Sequence, residues 1–544
     1  MKSQDMSVFS RTVMQQKYSQ NGETWVDIAH RVSKAVFKAV SAPKSLVDQT
    51  TQYIIERKFI PGGRYLYASG RPLHNVNNCL LFRAEDSREG WADHLHKHAM
   101  GLMVGAGIGT DYSAIRSEGK LIRKTGGFAT GPLALMEATN CLGRAVMMGG
   151  SRRSALWAGL SWSHADIMKF IVMKNWIPEV RDMKAKDFNF PATMDGTNIS
   201  VQLDDEFFAA YADEKHPKNS HAQMVYWATV ERMLKTSEPG FSVDTGKSRK
   251  ETLRNACCEL VSEDDSDVCN LGSVNLSRIE SLEEMKSVVE CVTAFLLAGT
   301  VYSDVPYAKV DTVRTKNRRL GLGLMGIHEW LLSHGKKYGA DEELDKYLEV
   351  YASSGDYAKS FSKEWDLSCP VKTRAIAPTG SIGILGETST GIEPLFCVAY
   401  KRRYLKGSLW NFQYVLDPTA KRLIENGVNP DDIEDAYVLA EDVERRLSFQ
   451  AHVQKYVDHA ISSTINLPQW GTEFNSTDTV QKFGKSFMKY LPQLRGLTTY
   501  PDGCRSGQPI NPVKWHTAVK HVGQTFIEQA DLCEISGRGG TCGS

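Results

Sequence analysis

The chain has 544 residues, and its 65 basic and 64 acidic side chains leave a formal charge of +1. This length allows about three or four ordinary domains or one very large barrel, and the 42% hydrophobic and 24% charged content excludes a disordered, collagen-like or coiled-coil chain. The near-zero charge excludes a general electrostatic attraction to nucleic acid or to an anionic membrane, so any bound polyanion must be small and held locally.

The sequence shows no sign of a membrane or secreted protein. No segment reaches the roughly 18 uninterrupted apolar residues of a membrane span, and the polar residues 1–20 lack the apolar core of a signal peptide. We therefore expect a cytoplasmic protein without membrane contact.

The eleven cysteines are too sparse for a secreted disulfide framework, and without a C-x-x-C pair we expect no metal site. Any one of them is most simply a small buried hydrophobe, but in a reducing compartment some can be catalytic or redox-active.

The predicted elements begin with helices in the first sixty residues. Residues 24–40 carry apolar side chains at helical spacing, and Pro61-Gly62-Gly63 ends this region. The next predicted elements, in chain order, are a buried strand at 79–82, a helix at 89–104, loops and strand edges at 105–131, a helix from Pro132 to about 148, a strand at 155–160, a helix at 166–172 and a strand at 198–203.

The second half of the chain continues this alternation. Residues 281–298 predict a helix with Ser281 as its N-cap and with Glu283 and Glu284 in the first turn. Residues 453–461 also predict a helix. Because strand-like and helix-like segments alternate throughout, without an internal repeat or an obvious linker, we expect an α/β fold.

The most informative segment is residues 254–277, RNACCELVSEDDSDVCNLGSVNLS. Asn255, Cys257 and Glu259 occupy alternate positions, so an extended or looped chain presents them on one face. A thiol that can lose hydrogen, a carboxylate that can accept a proton and an amide that can orient hydroxyl groups form a catalytic set. The residues alone leave a second interpretation equally open, namely an acidic surface loop with two half-buried thiols.

This segment resembles the finger loop of the ribonucleotide reductase large subunit, in which N-x-C-x-E is followed by C-N-L-G-S-V-N-L. Other segments are similar to the same family in the same order, over about residues 60–510. They are Asn78-Cys79, the G-G-S-R-R-S-A string at 149–155, N-I-S-V at 198–201, N-R-R-L-G-L-G-L-M-G at 317–326, A-P-T-G-S-I-G-I at 377–384, G-I-E-P-L-F at 391–396 and S-T-I-N-L-P at 463–468.

The resemblance implies an α/β barrel of ten strands, made of two five-stranded parallel halves that are antiparallel to each other, with helices outside. A finger loop through its centre carries the radical cysteine. We expect a helical region at 1–60, the barrel at 61–525 and a flexible redox tail at 526–544.

The resemblance also implies residue roles in ribonucleotide reduction. Cys257, as a thiyl radical, would take the 3′-hydrogen of a ribonucleotide, Glu259 would accept the 3′-hydroxyl proton, and Asn255 would bind the ribose hydroxyls. Cys79 and Cys269 would supply the reducing equivalents and end as a disulfide, which requires their Cα atoms to lie within about 7 Å.

One departure from the family concerns the neighbours of the radical cysteine. Ala256 stands where Pro is common, and Cys258 stands where the family usually has another residue type. Spacing selects Cys257, because only Cys257 fits N-x-C-x-E. Alternation along the chain also directs Cys258 away from the substrate.

Two loops are expected to bind the substrate. Small residues with free N–H groups form an anion site if they open a helix, and the resemblance assigns the substrate phosphates to such a loop at Pro378, Thr379, Gly380, Ser381 and Ile382. An ordinary strand-to-helix turn is the alternative. Arg152 and Arg153 follow two glycines on a loop that reports the bound effector in the family, and Asn78 completes the substrate set.

A deoxynucleotide effector is expected at a third loop. Asp111, Ser113, Arg116 and Lys120, with the rest of the basic stretch 113–127, resemble the family's effector loop. The alternative is a solvated surface loop.

The radical source is expected to be adenosylcobalamin. Residues 496–503 hold Thr499-Tyr500 in place of the tyrosine pair that relays a radical from a metal subunit, and the tail lacks the glycyl-radical motif. A large subunit that needs a radical-generating partner subunit is the runner-up. Because the N-terminal segment is short, we expect the family's ATP-sensing domain to be missing, and with it on–off control by ATP and dATP.

Cys533 and Cys542 are the candidates for a swinging dithiol that a thioredoxin-like reductant regenerates, on an arm rich in glycine. Two alternatives are that Cys533 is structural and that another reductant acts directly.

The sequence leaves open a monomer or a homodimer, and a di- or triphosphate substrate. A hypothesis of another class is a nucleotide-binding regulator that has lost the chemistry, against which the complete set of five site residues argues.

Overall fold

The computed structural model describes residues 6–146, 154–187, 190–246, 250–406, 409–504, 510–522 and 524–529. The helices are α1 (Val8–Lys17), α2 (Trp25–Lys38), α3 (Lys44–Ile55), α4 (Gly63–Ala68), α5 (Arg88–Met103), α6 (Gly131–Ala145), α7 (Ile167–Val172), α8 (Pro178–Lys186), α9 (Asp205–Ala212), α10 (Asn219–Thr236), α11 (Leu282–Tyr302), α12 (Ala308–Asn317), α13 (Ile327–Ser333), α14 (Glu342–Ala352), α15 (Ser354–Glu364), α16 (Gly380–Gly386), α17 (Pro418–Glu425), α18 (Val443–Gln454), α19 (Val480–Tyr490) and α20 (Trp515–His521). The strands are β1 (Phe59–Pro61), β2 (Cys79–Arg83), β3 (Gly107–Asp111), β4 (Leu156–Ser161), β5 (Thr197–Asp204), β6 (Gly240–Asp244), β7 (Leu253–Arg254), β8 (Val261–Ser262), β9 (Asp267–Asn275), β10 (Leu320–Met325), β11 (Ala399–Lys406), β12 (Leu409–Leu416), β13 (Thr464–Leu467), β14 (Gly496–Pro501), β15 (Ile510–Pro512) and β16 (Thr525–Gln529).

The main sheet contains two sets of parallel strands. Strands β2, β3, β4, β5 and β6 are parallel neighbours in that order. Strand β9 runs antiparallel to β2 and parallel to β10, while β14 runs antiparallel to β6 and parallel to β13. Isolated parallel bridges join Leu322 of β10 to Arg374 and Ile376 to Ile461. The two sets therefore face in opposite directions along one sheet.

Helices cover this sheet and form two large apolar clusters. One cluster surrounds α11 and includes side chains from α2, α14 and the N-terminal segment. The other gathers α7, α10 and α19 against the outer faces of β4, β5 and β6. This layering of helices on a mostly parallel sheet confirms the expected α/β class.

Helix α11 is the longest apolar helix of the described residues. It is apolar enough to cross a membrane by length and composition, but 72% of its most apolar window is buried inside the protein. The Ser281 side chain accepts a hydrogen bond from the Glu284 N–H at 3.2 Å, which confirms the predicted N-cap. The burial is that of a core helix.

Two sequence predictions differ from the structure. The helix expected at 453–461 is wrong, because α18 ends at Gln454 and the chain then turns and bends until Ile461 forms a parallel bridge with Ile376. There the Asp458 carboxylate accepts the N–H groups of Thr373 and Arg374, and this pairing replaces helical hydrogen bonds. The tail expected to begin at 526 starts inside β16, which joins β15, β11 and β12 in a separate four-stranded antiparallel sheet.

Candidate active site

A short hairpin carries the predicted catalytic set. Strands β7 and β8 are antiparallel, and a tight turn joins them in which the Cys258 N–H donates to the Asn255 carbonyl at 3.1 Å. Cys258 takes a left-handed backbone conformation with φ of 65°. Strand β3 passes directly beside this hairpin at Gly109, where a Cβ atom would lie 2.0 Å from the Arg254 carbonyl oxygen. Only glycine permits this close approach.

Buried charges hold the base of the hairpin. The Glu251 carboxylate lies 2.6 Å from Lys372, 3.5 Å from Arg495 and 3.6 Å from Arg319, three cations that come from different parts of the main sheet. Arg254 is fully buried, and burial lowers the pKa of its guanidinium to about 10. The Arg254 guanidinium also donates to the Val243 carbonyl of β6 at 2.8 Å, so the hairpin is anchored to both halves of the sheet.

The Cys257 side chain is exposed, although protein surrounds the turn, because it faces a cavity of about 320 Å³. Surrounding protein raises the pKa of this thiol well above its ordinary value, and the Glu259 carboxylate raises it further. Cys258 also lines the cavity. The prediction that alternation turns Cys258 away is wrong, because the tight turn interrupts the extended backbone on which alternation depends.

Cys79 and Cys269 lie directly opposite each other on the antiparallel strands β2 and β9. Residues so placed have Cα atoms about 4.5–5.5 Å apart, within the separation that a disulfide needs. Both are buried free thiols. Burial raises the pKa of each well above the ordinary value, and the charges of Glu259 and Cys257 further raise that of Cys79.

Asn255 links the hairpin to this thiol pair. Its Nδ2 donates to the Cys79 sulfur at 2.9 Å, and its Oδ1 accepts the Leu260 N–H at 3.0 Å. The structure thus brings Asn255, Cys257, Glu259, Cys79 and Cys269 into one cluster, in which the amide group touches a sulfur rather than open space.

Glu259 is a buried carboxyl group with spare hydrogen-bonding capacity. Its Oε2 has no hydrogen-bond partner among the residues that the structure describes, and its side chain is 1% exposed. Burial raises the pKa of Glu259 to about 7, although a hydrogen bond from the Asn255 side chain partly offsets this by lowering the pKa. A carboxyl group with this pKa can both accept and return a proton near neutral pH.

The predicted phosphate loop opens α16 at the edge of the cavity. Pro378 lines the cavity, and Thr379 takes a left-handed conformation with φ of 53° just before the helix. The N–H groups of Gly380, Ser381 and Ile382 lie in the first turn, where a helix offers no internal acceptors. Asn78 has its Oδ1 buried without a partner in the described part of the chain. Arg152 and Arg153 lie outside the described residues.

The predicted effector residues do not share one surface. Asp111 is buried and accepts the Thr252 hydroxyl at 2.6 Å and the Ser113 N–H at 2.9 Å, so it supports the base of the hairpin. Arg116 pairs with Asp86 at 2.7 Å. Lys120 is exposed on a loop closed by the antiparallel bridge between Leu121 and Phe128. Cys533 and Cys542 lie outside the described residues.

Sequence reasoning missed the hydroxyl-bearing wall of the cavity and the anchor Glu251. The wall includes Ser462, Ser463, Thr464, Thr498 and Thr499. Ser463, Thr464 and the T-T pair lie within segments that the sequence analysis had singled out, but their side chains could be assigned to a cavity only once β13 and β14 were paired.

Comparisons with known proteins agree with this architecture. The family model for the ribonucleotide reductase barrel domain matches residues 77–238, 246–362 and 372–491. A vitamin B12-dependent ribonucleoside-diphosphate reductase of Thermoplasma acidophilum is 25% identical over 83% of this chain and 64% of its own length. One of Mycobacterium tuberculosis is 27% identical over 84% of this chain and 72% of its own length.

A solved structure shows the same fold. The alpha subunit of the class Id ribonucleotide reductase of Actinobacillus ureae superposes with a TM-score of 0.72 at 15% identity, covering 92% of this chain and 97% of that subunit. The family match spans most of the chain. The chain belongs to the ribonucleotide reductase barrel-domain family.

Proposed function

We propose that this protein reduces ribonucleotides to 2′-deoxyribonucleotides by thiyl-radical chemistry, as a ribonucleoside di- or triphosphate reductase that depends on adenosylcobalamin. One observation carries the proposal: a hairpin sets Cys257 on a cavity wall while its neighbours Asn255 and Glu259 adjoin the opposed thiols Cys79 and Cys269. Relatives named as vitamin B12-dependent reductases support the choice of cofactor.

Each residue of the cluster has a role in this reaction. The Cys257 thiyl takes the hydrogen atom from C3′ of the ribose, and Glu259 accepts the 3′-hydroxyl proton. The radical at C3′ activates the neighbouring carbon, so the 2′-hydroxyl leaves as water. Cys79 and Cys269 give two electrons and two protons and become a disulfide. Cys257 then returns its hydrogen atom to C3′ and is a thiyl again.

The raised pKa of Glu259 suits this exchange. A carboxyl group that is ionised in about half of the molecules near pH 7 is available as a base before the reaction and as an acid after it. Asn255, held between Leu260 and Cys79, keeps the thiol and the carboxyl group at a fixed distance from the ribose hydroxyls.

The cavity beside Cys257 fits the nucleoside part of adenosylcobalamin. Its volume of about 320 Å³ lies at the lower end of small-molecule sites. Ser462, Ser463, Thr464 and Thr498 would bind ribose hydroxyls, and Tyr500 adds an aromatic wall. When bound, adenosylcobalamin supplies a carbon radical by homolysis of its cobalt–carbon bond.

We also propose that the main sheet closes into the ten-stranded barrel of two antiparallel halves. The bridges from Leu322 to Arg374 and from Ile376 to Ile461 support closure, since they place the 373–377 segment between β10 and the strand that continues into β13. That segment would be the tenth barrel strand, while β1 pairs with β9 outside the barrel. The barrel would span residues 61–525, after a helical region at 1–60.

The remaining assignments follow from the same proposal. The first turn of α16, with Asn78, Arg152 and Arg153, would hold the substrate, and Ser113, Arg116 and Lys120 would contact a deoxynucleotide effector. The structure gives Asp111 a supporting role instead. Cys533 and Cys542 would pass electrons from a thioredoxin-like reductant, in a cytoplasmic monomer or homodimer.

The deciding experiment is an anaerobic assay of the purified chain with each of the four ribonucleotides, as di- and triphosphates, together with adenosylcobalamin and a dithiol. We expect deoxynucleotide formation by the isolated chain and none by Cys257→Ser. Cys369→Ser, which changes an exposed thiol outside the cluster, is the matched control and should keep full activity. Activity in Cys257→Ser, or dependence on a second subunit, would contradict the proposal.

A further inference from the structure

The finger turn presents two adjacent thiols to one cavity, and the proposed reaction uses only the first. Cys257 and Cys258 both line the cavity of about 320 Å³. The left-handed backbone of Cys258 and its N–H bond to Asn255 fold the chain so that consecutive side chains share this wall. The second cysteine therefore directly follows Cys257 in the chain and lines the same cavity.

The two thiols are poorly suited to form a disulfide with each other. Adjacent Cα atoms are about 3.8 Å apart across a trans peptide, below the range of about 4.4–6.8 Å found in disulfides. Both are free in the structure. A role for Cys258 as a second redox partner of Cys257 is thus sterically unfavourable, whereas transfer of a hydrogen atom requires no new bond between the sulfurs.

We propose that Cys258 is a second hydrogen-atom site of the radical chemistry, which exchanges a hydrogen atom reversibly with the Cys257 thiyl. In this step the S–H bond of Cys258 breaks and an S–H bond forms on Cys257, so the unpaired electron moves to Cys258. No oxidant, reductant or proton acceptor is needed. The inference rests on the proposed function, because it requires a thiyl radical at Cys257.

Three features of the site favour this exchange. The bond broken and the bond formed are of the same type, so the transfer is close to thermoneutral. Burial raises the pKa of Cys258 to about 12, although the Arg254 charge opposes this, and the thiol therefore keeps its hydrogen at neutral pH. Both cysteines line the cavity that a reacting group would enter.

The exchange predicts that part of the hydrogen abstracted from C3′ is lost to solvent during turnover. A hydrogen atom taken from C3′ would return to the same carbon if it stayed on Cys257. If the C3′ radical of the product instead takes its hydrogen from Cys258, the resulting Cys258 thiyl takes the labelled hydrogen from Cys257 by the same exchange, and Cys257 is a thiyl again. The label then lies on the Cys258 thiol, from which it reaches solvent through ordinary thiol exchange. A substrate labelled with tritium at C3′ should therefore release part of its label to water with the wild-type protein.

The test compares wild type, Cys258→Ala and Cys258→Ser, with Cys369→Ala as the control, for tritium release per deoxynucleotide formed. Serine nearly matches cysteine in size but its O–H bond is too strong to give hydrogen to a thiyl. We expect both Cys258 variants to form product and to lose the release that wild type and control show. Release at the wild-type level in an active Cys258 variant would overturn the proposal.

A second measurement uses the protein without cofactor or substrate. At alkaline pH, a small methanethiosulfonate reagent should modify Cys257 and Cys258 together, while the buried Cys291 stays unmodified, as read by peptide mass mapping. An unreactive Cys258 beside a reactive Cys257 would overturn the shared-wall geometry. Absence of product from the wild type would instead refute the proposed function, and the mapping would still decide the placement of Cys258.

Discussion

Replacing Glu259 by Gln should make the protein more stable at alkaline pH while abolishing turnover. Glu259 ionises near its ordinary pKa of 4.5 in the unfolded chain and near about 7 in the folded protein. The folded protein therefore holds a proton that the unfolded chain has released. The stability that this proton contributes is complete below pH 4.5 and is lost as pH rises through about 7.

The size of the effect follows from the two pKa values. At about 1.4 kcal/mol for each tenfold change in a proton equilibrium, the difference between 4.5 and about 7 corresponds to about 3 kcal/mol. Glutamine keeps the shape and carries no ionisable proton. Glu259→Gln should therefore exceed wild type by up to about 3 kcal/mol in free energy of unfolding at pH 8 or above, and by little near pH 4.5.

Urea unfolding followed by tryptophan fluorescence, at matched ionic strength across this pH range, provides the measurement. Glu263→Gln changes an exposed carboxylate four residues further along the same hairpin and is the control; its stability should follow the wild-type pH profile. A Glu259→Gln profile parallel to wild type at every pH would show that Glu259 is ionised without cost in the folded protein, and the reasoning would fail.

Two further predictions concern the thiol pair and the finger hairpin. Wild-type protein that is reduced and then freed of dithiol should form deoxynucleotide in stoichiometric amount and yield a Cys79–Cys269 disulfide in peptide maps. Cys269→Ser should form no deoxynucleotide, and Cys291→Ser is the control. Product from Cys269→Ser would contradict the pairing. Gly109→Ala should lower kcat by about 100-fold, the cost expected for about 1 Å of misplacement at a reacting group, because its Cβ would lie 2.0 Å from the Arg254 oxygen. Gly339→Ala, where a Cβ meets no atom within 4 Å, should keep wild-type activity, and equal kcat values for the two variants would refute a steric limit at Gly109.

Local sequence patterns predicted the elements that have a strong periodicity. The strand at 79–82 corresponds to β2, the helix at 89–104 to α5 and the helix at 281–298 to α11. In each, the side chains of the segment itself decide the structure, through an apolar run, an amphipathic period or a capping serine. The motif order, which is carried by many short strings, predicted the family.

Features set by contacts between distant segments could not be predicted in the same way. The end of α18 at Gln454 and the non-helical chain that follows depend on contacts with residues 373–377, about 80 positions earlier. The orientation of Cys258 depends on the turn type, which one-residue alternation cannot express. The inward position of Asp111 is decided by the Thr252 hydroxyl, on a hairpin 141 residues away.

The contacts at the base of the finger hairpin must fix its position, because its own strands are too short to do so. Strands β7 and β8 have two residues each, and an isolated two-stranded hairpin is marginally stable even when it is longer. Glu251 instead joins the hairpin to Arg319, Lys372 and Arg495, and β3 packs on it without an intervening side chain at Gly109. Because removing one member of a buried ion cluster leaves uncompensated charge, this anchor resists displacement in several directions at once. A radical cysteine that must meet both a cavity and a buried dithiol requires that kind of fixed support.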